Sequence, residues 1–205
     1  MSTSSIDKAF KSERLIYRSP ENNEEDREFL FTHIENNPVN MSLSDSSLLR
    51  PKTRKGVEDF MVQLQKAVLP VMICLSSDEA KKHDKDASAS VPIGYVVLGW
   101  GGKPQNRDHH RNISIGISIA GAYQNKGYGG ETINWALDWA FRFGGYHRVS
   151  IGTVSYNHRA QHLYKKLGFV EEGRQREALL FDRKFHDMID YGMLEHEWEA
   201  LRRLK

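Results

Sequence analysis

One cysteine, Cys74, stands among 205 residues, so no disulfide can form within the chain. It lies in Val71-Met72-Ile73-Cys74-Leu75, which reads as a buried strand, so a core thiol is expected rather than a nucleophile. Net charge is also scarce. Lys+Arg is 29 and Asp+Glu is 27, leaving +2, which removes the electrostatic argument for a nucleic acid or a membrane surface as partner. No apolar run approaches the roughly 20 residues that a membrane-spanning helix needs. The first residues, Met1 to Lys8, lack the apolar core of a secretory signal. A soluble, cytoplasmic protein is the expectation.

The length suits one domain with some decoration. Residues 1–12 read as a flexible tail and 199–205 as a C-terminal tail. Strands are expected at 13–18, 70–76, 91–99, 113–119 and 148–154, with a final hairpin of 175–181 and 185–194. Helices are expected at 24–36, where Phe29, Leu30 and Ile34 share a face, and at 53–67, striped by Val57, Phe60, Met61 and Leu64. Residues 37–52 are polar and turn-rich. The charged stretch 77–90 has no aromatic residue and reads as a flexible hairpin loop. Strands alternating with helices point to α/β or α+β, a sheet covered by helices.

The most informative segment is Gln124-Asn125-Lys126-Gly127-Tyr128-Gly129-Gly130. It joins the apolar run 113–119 to a helical run over 131–143. Glycines let backbone approach a ligand, and the free N–H groups of a first helical turn favour an anion. A dinucleotide fingerprint would need a third glycine at Thr132, and a P-loop would need Gly-Lys-Ser/Thr; neither is present. A phosphate-bearing ligand is expected here. A second segment, Asn157-His158-Arg159-Ala160-Gln161-His162-Leu163-Tyr164-Lys165-Lys166-Leu167-Gly168-Phe169, places another helix start after another strand, and two such starts can shape one crevice.

Together the segments resemble the GNAT superfamily of acetyl-CoA-dependent N-acetyltransferases. Gln124, Gly127 and Gly129 match its Gln/Arg-x-x-Gly-x-Gly/Ala pattern. Asn157, Ala160, Tyr164, Lys166, Gly168 and Phe169 match its second motif. The ending, Phe185 to Trp198, is similar to the branch of ribosomal-protein N-terminal acetyltransferases and spermidine acetyltransferases.

The resemblance implies a fold and a set of roles. The fold would be a GNAT domain over 13–198: a mixed, mostly antiparallel sheet of six to seven strands, about four flanking helices, and a splayed strand pair holding the cofactor. Backbone N–H groups of Gln124, Asn125, Lys126, Gly127, Tyr128, Gly129 and Gly130 would bind the pyrophosphate. Ile117 and Ile119 would pair with the pantetheine arm, and Asn157 and Ala160 would line the cofactor site. Asparagine is also a good helix N-cap, and both roles can hold at once. Tyr164 would touch the cofactor and reprotonate the departing thiolate, since a phenol of pKa about 10 stays protonated at neutral pH. Ala160, Leu163, Tyr164 and Leu167 also form one apolar helical stripe, so spacing alone favours packing for this tyrosine, and the resemblance favours catalysis.

The general base is open. By count, Ser114 stands where the spermidine enzymes carry a glutamate, and serine is a poor base. Histidine as a residue type suits a base, but His109 and His110 read as solvated. His158 and His162, four apart on one helix, also read as solvated, and no metal is expected. Trp135 and Trp139 share a helix face and read as core, and Glu21, Glu24, Glu25 and Asp26 form an acidic cluster at a helix start. The implied activity is direct transfer of acetyl from acetyl-CoA to a primary amine, on a small amine or polyamine or on a protein N-terminus. The alternative is a non-catalytic acyl-CoA-binding module. A homodimer is compatible with either.

Overall fold

A computed structural model describes residues 6–44, 47–84, 90–102 and 107–204. Its sheet contains β1 (Leu15–Arg18), β2 (Leu69–Leu75), β3 (Pro92–Leu98), β4 (Asn112–Ile119), β5 (Arg148–Val154), β6 (Val170–Phe181) and β7 (Lys184–Leu194). The order is β1-β2-β3-β4-β5-β7-β6. Every neighbouring pair is antiparallel except β4 and β5, which run parallel.

Seven α-helices are present among the described residues: α1 (Glu24–Phe29), α2 (Pro38–Ser44), α3 (Arg54–Gln65), α4 (Ser77–His83), α5 (Tyr128–Arg142), α6 (His158–Lys166) and α7 (Glu195–Arg202). That exceeds the expected four or so. After α1 the chain winds on as a wider π-type turn, Leu30–Glu35. Alternation along β2 sends Val71, Ile73 and Leu75 into one core with α5, and Met72 and Cys74 into a second core with α1 and α3. Both faces are covered, so this strand reads as continuous apolar sequence.

Two helices replace segments expected as loops. Helix α2 starts at Pro38, whose missing N–H costs nothing at a first helical position, and the Asn37 side chain accepts from the amides of Val39 and Asn40 at 3.1 and 3.0 Å. Helix α4 is capped by Ser76, whose Oγ accepts from the Glu79 amide at 3.3 Å. Acids in its first turn and cations in its last complement the helix dipole. Only 85–89 of the expected flexible loop lie outside the described residues.

Residues 6–10 form turns in which Ala9 accepts from the Trp135 indole at 2.8 Å, and α7 runs through Arg202. Residues 1–5 and 205 lie outside the described ones.

The parallel pair positions the site. β4 and β5 are in register over three residues: Asn112 with Arg148, Ile113 with Val149, and Ser114 with Ser150. Past Ser114 the ladder stops and the strands part. β4 stays bonded to β3 as far as Ile119, and β5 to β7 as far as Val154. Gly94 permits the close approach of β3 to β4: a Cβ there would lie 2.2 Å from the Ser118 carbonyl oxygen.

Candidate active site

The fork between β4 and β5 opens into two adjoining cavities. The first, about 410 Å³, brings together Ile117, Ile119, Gln124, Asn125, Gly127, Gly129, Gly130, Asn157, Ala160 and Tyr164. Both sequence segments thus meet on one space. The side chains of Lys126 and Tyr128 do not line it. Lys126 is exposed, with Nζ 5.6 Å from the Tyr123 ring, and Tyr128 is buried beneath the turn. The second cavity, about 660 Å³, shares Ile117, Ile119, Gln124, Asn157, Arg159 and Tyr164, and adds residues of α2, β5, β6 and β7.

The glycine turn owes its shape to backbone conformation. Asn125 and Gly127 have φ of 60° and 85°, in the left-handed region, and α5 begins at the next residue, Tyr128. The first amides of a helix have no intrahelical acceptor, and Gly129 and Gly130 of this first turn line the cavity.

The turn is held from below and from the side. Below, Tyr128 donates to Glu79 Oε1 at 2.7 Å and lies 2.9 Å from His83 Nε2, so α4 props the turn. Burial and the bond to Glu79 push its phenol up to about 12. Glu131 accepts from Ser12 Oγ at 2.6 Å and from the Arg14 amide and Nε at 2.8 Å each, and Arg14 Nη1 donates to the Lys126 carbonyl at 3.0 Å. From the side, Arg159 donates to Gln124 Oε1 at 3.0 Å and Asn125 Oδ1 at 3.2 Å. That sets a cation beside a turn shaped for an anion.

Asn157 caps α6, its Oδ1 accepting from the Ala160 amide at 3.2 Å, and also lines both cavities. The Ile119 carbonyl is filled: it accepts from Gln124 Nε2 at 2.8 Å and from Asn40 Nδ2 at 3.1 Å. The acceptor for the backbone pairing implied at that residue is therefore already occupied.

Tyr164 is 6% exposed and edge-on to Tyr191, with ring centroids 5.7 Å apart. Its hydroxyl has no hydrogen-bond partner among the described residues. Burial raises its pKa well above the ordinary phenol value, so it is a protonated donor at neutral pH.

Other candidates fall elsewhere. Ser114 sits in the closed part of the β4–β5 ladder, beside a separate cavity of about 270 Å³. The β4 residues that face the fork are Gly116 to Ile119, and none is a carboxylate. His109 and His110 are exposed, ring centroids 3.9 Å apart, and line neither fork cavity. His162 reaches the first cavity. No group of three or more His, Cys, Asp or Glu side chains among the described residues is placed to hold a metal ion. Asp26 is fully buried against Arg18 at 2.5 Å, which takes it out of the acidic cluster. Cys74 is buried, and Trp135 is core, stacked on Tyr17 at 3.9 Å.

Sequence reasoning missed Asn40, Glu79, His83, Arg159 and the carboxylate of Asp190, which lines the second cavity. Arg159, two residues past Asn157 and bonded to the glycine turn, was legible; Asp190 required the pairing of β5 with β7.

The model of the acetyltransferase (GNAT) family matches residues 61–169. A spermidine N(1)-acetyltransferase of Vibrio cholerae is 35% identical over 89 residues, 43% of this chain and 51% of that protein. A putative ribosomal N-acetyltransferase of Bacillus subtilis is 30% identical over 91 residues, 44% of this chain and 50% of that protein. The chain thus spans about half the length of the curated relatives it matches. The solved structure of spermidine N-acetyltransferase from V. cholerae in complex with CoA and spermine superposes with a TM-score of 0.71 at 24% identity, covering 91% of this chain and 99% of that one. An acetyltransferase of the same family from Bacillus anthracis gives 0.71 at 20% identity, covering 91% and 98%. These two likenesses show the fold.

Proposed function

The chain belongs to the acetyltransferase (GNAT) family, and from that premise we propose that it transfers acetyl from acetyl-CoA to a primary amine by direct attack. The observation that carries this reading is the fork between β4 and β5, where the glycine turn and the Asn157–Tyr164 helix line one cavity.

The pyrophosphate of CoA lies on the amides of 125–130, where the α5 dipole and Arg159 favour its charge. The pantetheine arm passes through the fork toward Tyr164. The parted strands leave backbone amides free beside the thioester, and these steady its oxygen as negative charge develops. The amine enters from the second cavity, so its nitrogen and the thioester carbon meet across Tyr164. A C–N bond forms, the C–S bond breaks, and Tyr164 hands its proton to the sulfur. Its ring is buried while the residue lines both cavities, and its hydroxyl suits that task because it has no competing bond to give up among the described residues. One unit over 13–198 carries the whole site.

The test is calorimetric titration with CoA, followed by thiol release from acetyl-CoA across peptides, polyamines and simple amines. Expected are saturable CoA binding and amine-dependent release. Absence of CoA binding overturns the reading. Binding without release for any amine leaves a non-catalytic acyl-CoA module in its place.

A further inference from the structure

The acceptor side of the fork carries little charge. Three titratable side chains line the 660 Å³ cavity among the described residues: Arg159 and Tyr164 from α6, and Asp190 from β7. The other elements present Gly152 of β5 and Gln175 of β6 to Asp190. Gln175 Nε2 donates to Asp190 Oδ2 at 3.3 Å, and no cation lies within ion-pair distance of Asp190 among the described residues. Neighbouring acids are differently placed: Glu171 pairs with Arg174 and Lys165, Glu172 with Arg148, and Asp187 with Arg174. Asp190 is thus an uncompensated carboxylate facing a cavity, which is where a cation gains most.

A third cavity of about 710 Å³ shares Val154, Ala178 and Leu179 with this one, so the space continues outward. Its walls are apolar: Met41, Leu48, Leu49, Leu180 and Phe181. Leu48 is 79% exposed and Leu180 66%. Among the described residues, the charged groups along it are Asp182 and Arg183, which offset each other.

We propose that Asp190 receives the acceptor's amino group and that the acceptor is the N-terminus of an apolar peptide, whose first side chains lie in the outer groove. This rests on the acetyl-transfer reading above. One carboxylate matches one ammonium. A polyamine would bring a second and a third cation into a groove whose charges cancel among the described residues. The chemistry agrees. An α-amine of pKa about 7.7–8.0 is roughly one-tenth neutral at pH 7, whereas an alkyl amine near 10.4 is neutral in fewer than about one molecule in a thousand.

The ammonium gives one proton to Asp190, which passes it to water. The freed lone pair attacks the thioester carbon. The second proton leaves the new amide nitrogen as Tyr164 protonates the departing sulfur, and the phenol is restored through solvent. Amide, thiol and one released proton balance the reaction.

The test measures thiol release by wild type and Asp190→Asn with four acceptors: Ala-Leu-Phe-Ala amide, Ala-Glu-Glu-Ala amide, hexylamine and spermidine. Expected is a kcat/KM for the apolar peptide at least about tenfold above the other three, the advantage of burying one large apolar side chain. Asp190→Asn keeps the bond to Gln175, binds CoA as wild type does, and loses about 100-fold at pH 7. That loss shrinks above pH 9, where the α-amine is neutral, and a merely structural role would not produce this narrowing. Spermidine or hexylamine matching the peptide overturns the acceptor class while acetyl transfer stands. A mutant within about twofold of wild type overturns the role of Asp190. If CoA binds and no amine releases thiol, acetyl transfer itself fails and this inference fails with it.

Discussion

The two sides of the fork are built from different materials. The cradle side is backbone: amides of 125–130, a glycine at φ 85°, and a helix start. It is braced by Glu131 and Tyr128, whose partners come from residues 12–14 and from α4. The side proposed for the acceptor is made of side chains. They come from α2, from β7 and from the β6–β7 hairpin, and several are exposed apolar groups. One link joins the hairpin to α2: Tyr156, stacked on Phe181 at 5.0 Å, donates to the Ser42 carbonyl at 2.5 Å. Phosphate can be held by any properly aimed amide, so the cradle needs geometry and little side-chain identity. An acceptor is distinguished by shape and charge, which only side chains supply.

Four substitutions can break or sharpen this contrast. The largest effect is expected from Tyr164→Phe, where the two sides meet. It removes a hydroxyl without a protein partner, so stability and CoA affinity should hold while kcat falls by about 10²-fold or more in single-turnover assays. Turnover equal to wild type would remove Tyr164 from the chemistry.

Gly127→Ala comes next and acts on the cradle alone. A left-handed φ costs a non-glycine residue about 1–2 kcal/mol, and the new Cβ would lie 3.2 Å from Arg14 Nη2. Calorimetry should show CoA binding weakened by about 5- to 30-fold. Unchanged affinity would mean that the turn's shape is not what holds the cofactor.

Tyr128→Phe tests the prop beneath the cradle. It strands the bond to Glu79, at about 1 kcal/mol, or roughly 2–4 °C in Tm for a chain of this size. There is also a pH signature. The unfolded phenol ionises near 10, while the folded one is pushed up to about 12. The native state therefore holds the proton more tightly, and this stabilisation is complete below pH 10 and is lost as pH rises from 10 to 12. Urea titrations of the mutant should show a shallower alkaline decline than wild type. Parallel declines would show that the phenol's environment does not change on unfolding.

The smallest stability change should come from Leu180→Ser on the acceptor side. Stability should stay within about 0.5 kcal/mol and CoA affinity should not move, while KM for an apolar peptide rises about 3- to 10-fold. A change in CoA affinity instead would show that the two sides are not separable.

Much of the glycine turn was legible because it is local. Gly127, Gly129 and the start of α5 are consecutive, and glycine states a backbone requirement within its own residue. Helix α3 was legible for the same reason: Val57, Met61 and Leu64 share its buried face and Thr53 caps it, accepting from Gly56 at 3.0 Å. Helices α2 and α4 carry caps as plain, at Asn37-Pro38 and Ser76. Both are only seven residues long and neither has a full apolar stripe, so periodicity passed over them. Counting back from the glycine turn pointed to Ser114 as the base position, yet that residue lies where β4 and β5 are still bonded. Counting along a strand does not tell where two strands part.

The sequence by itself determined the family, the strand–turn–helix cradle and the two buried faces of β2, because each is written in residues close along the chain. Tertiary structure alone decided where the fork opens, that α4 supports Tyr128, and that Asp190 stands opposite α6. Those depend on strand pairings and helix packings between residues dozens of positions apart, and side-chain period and spacing carry no information across such distances.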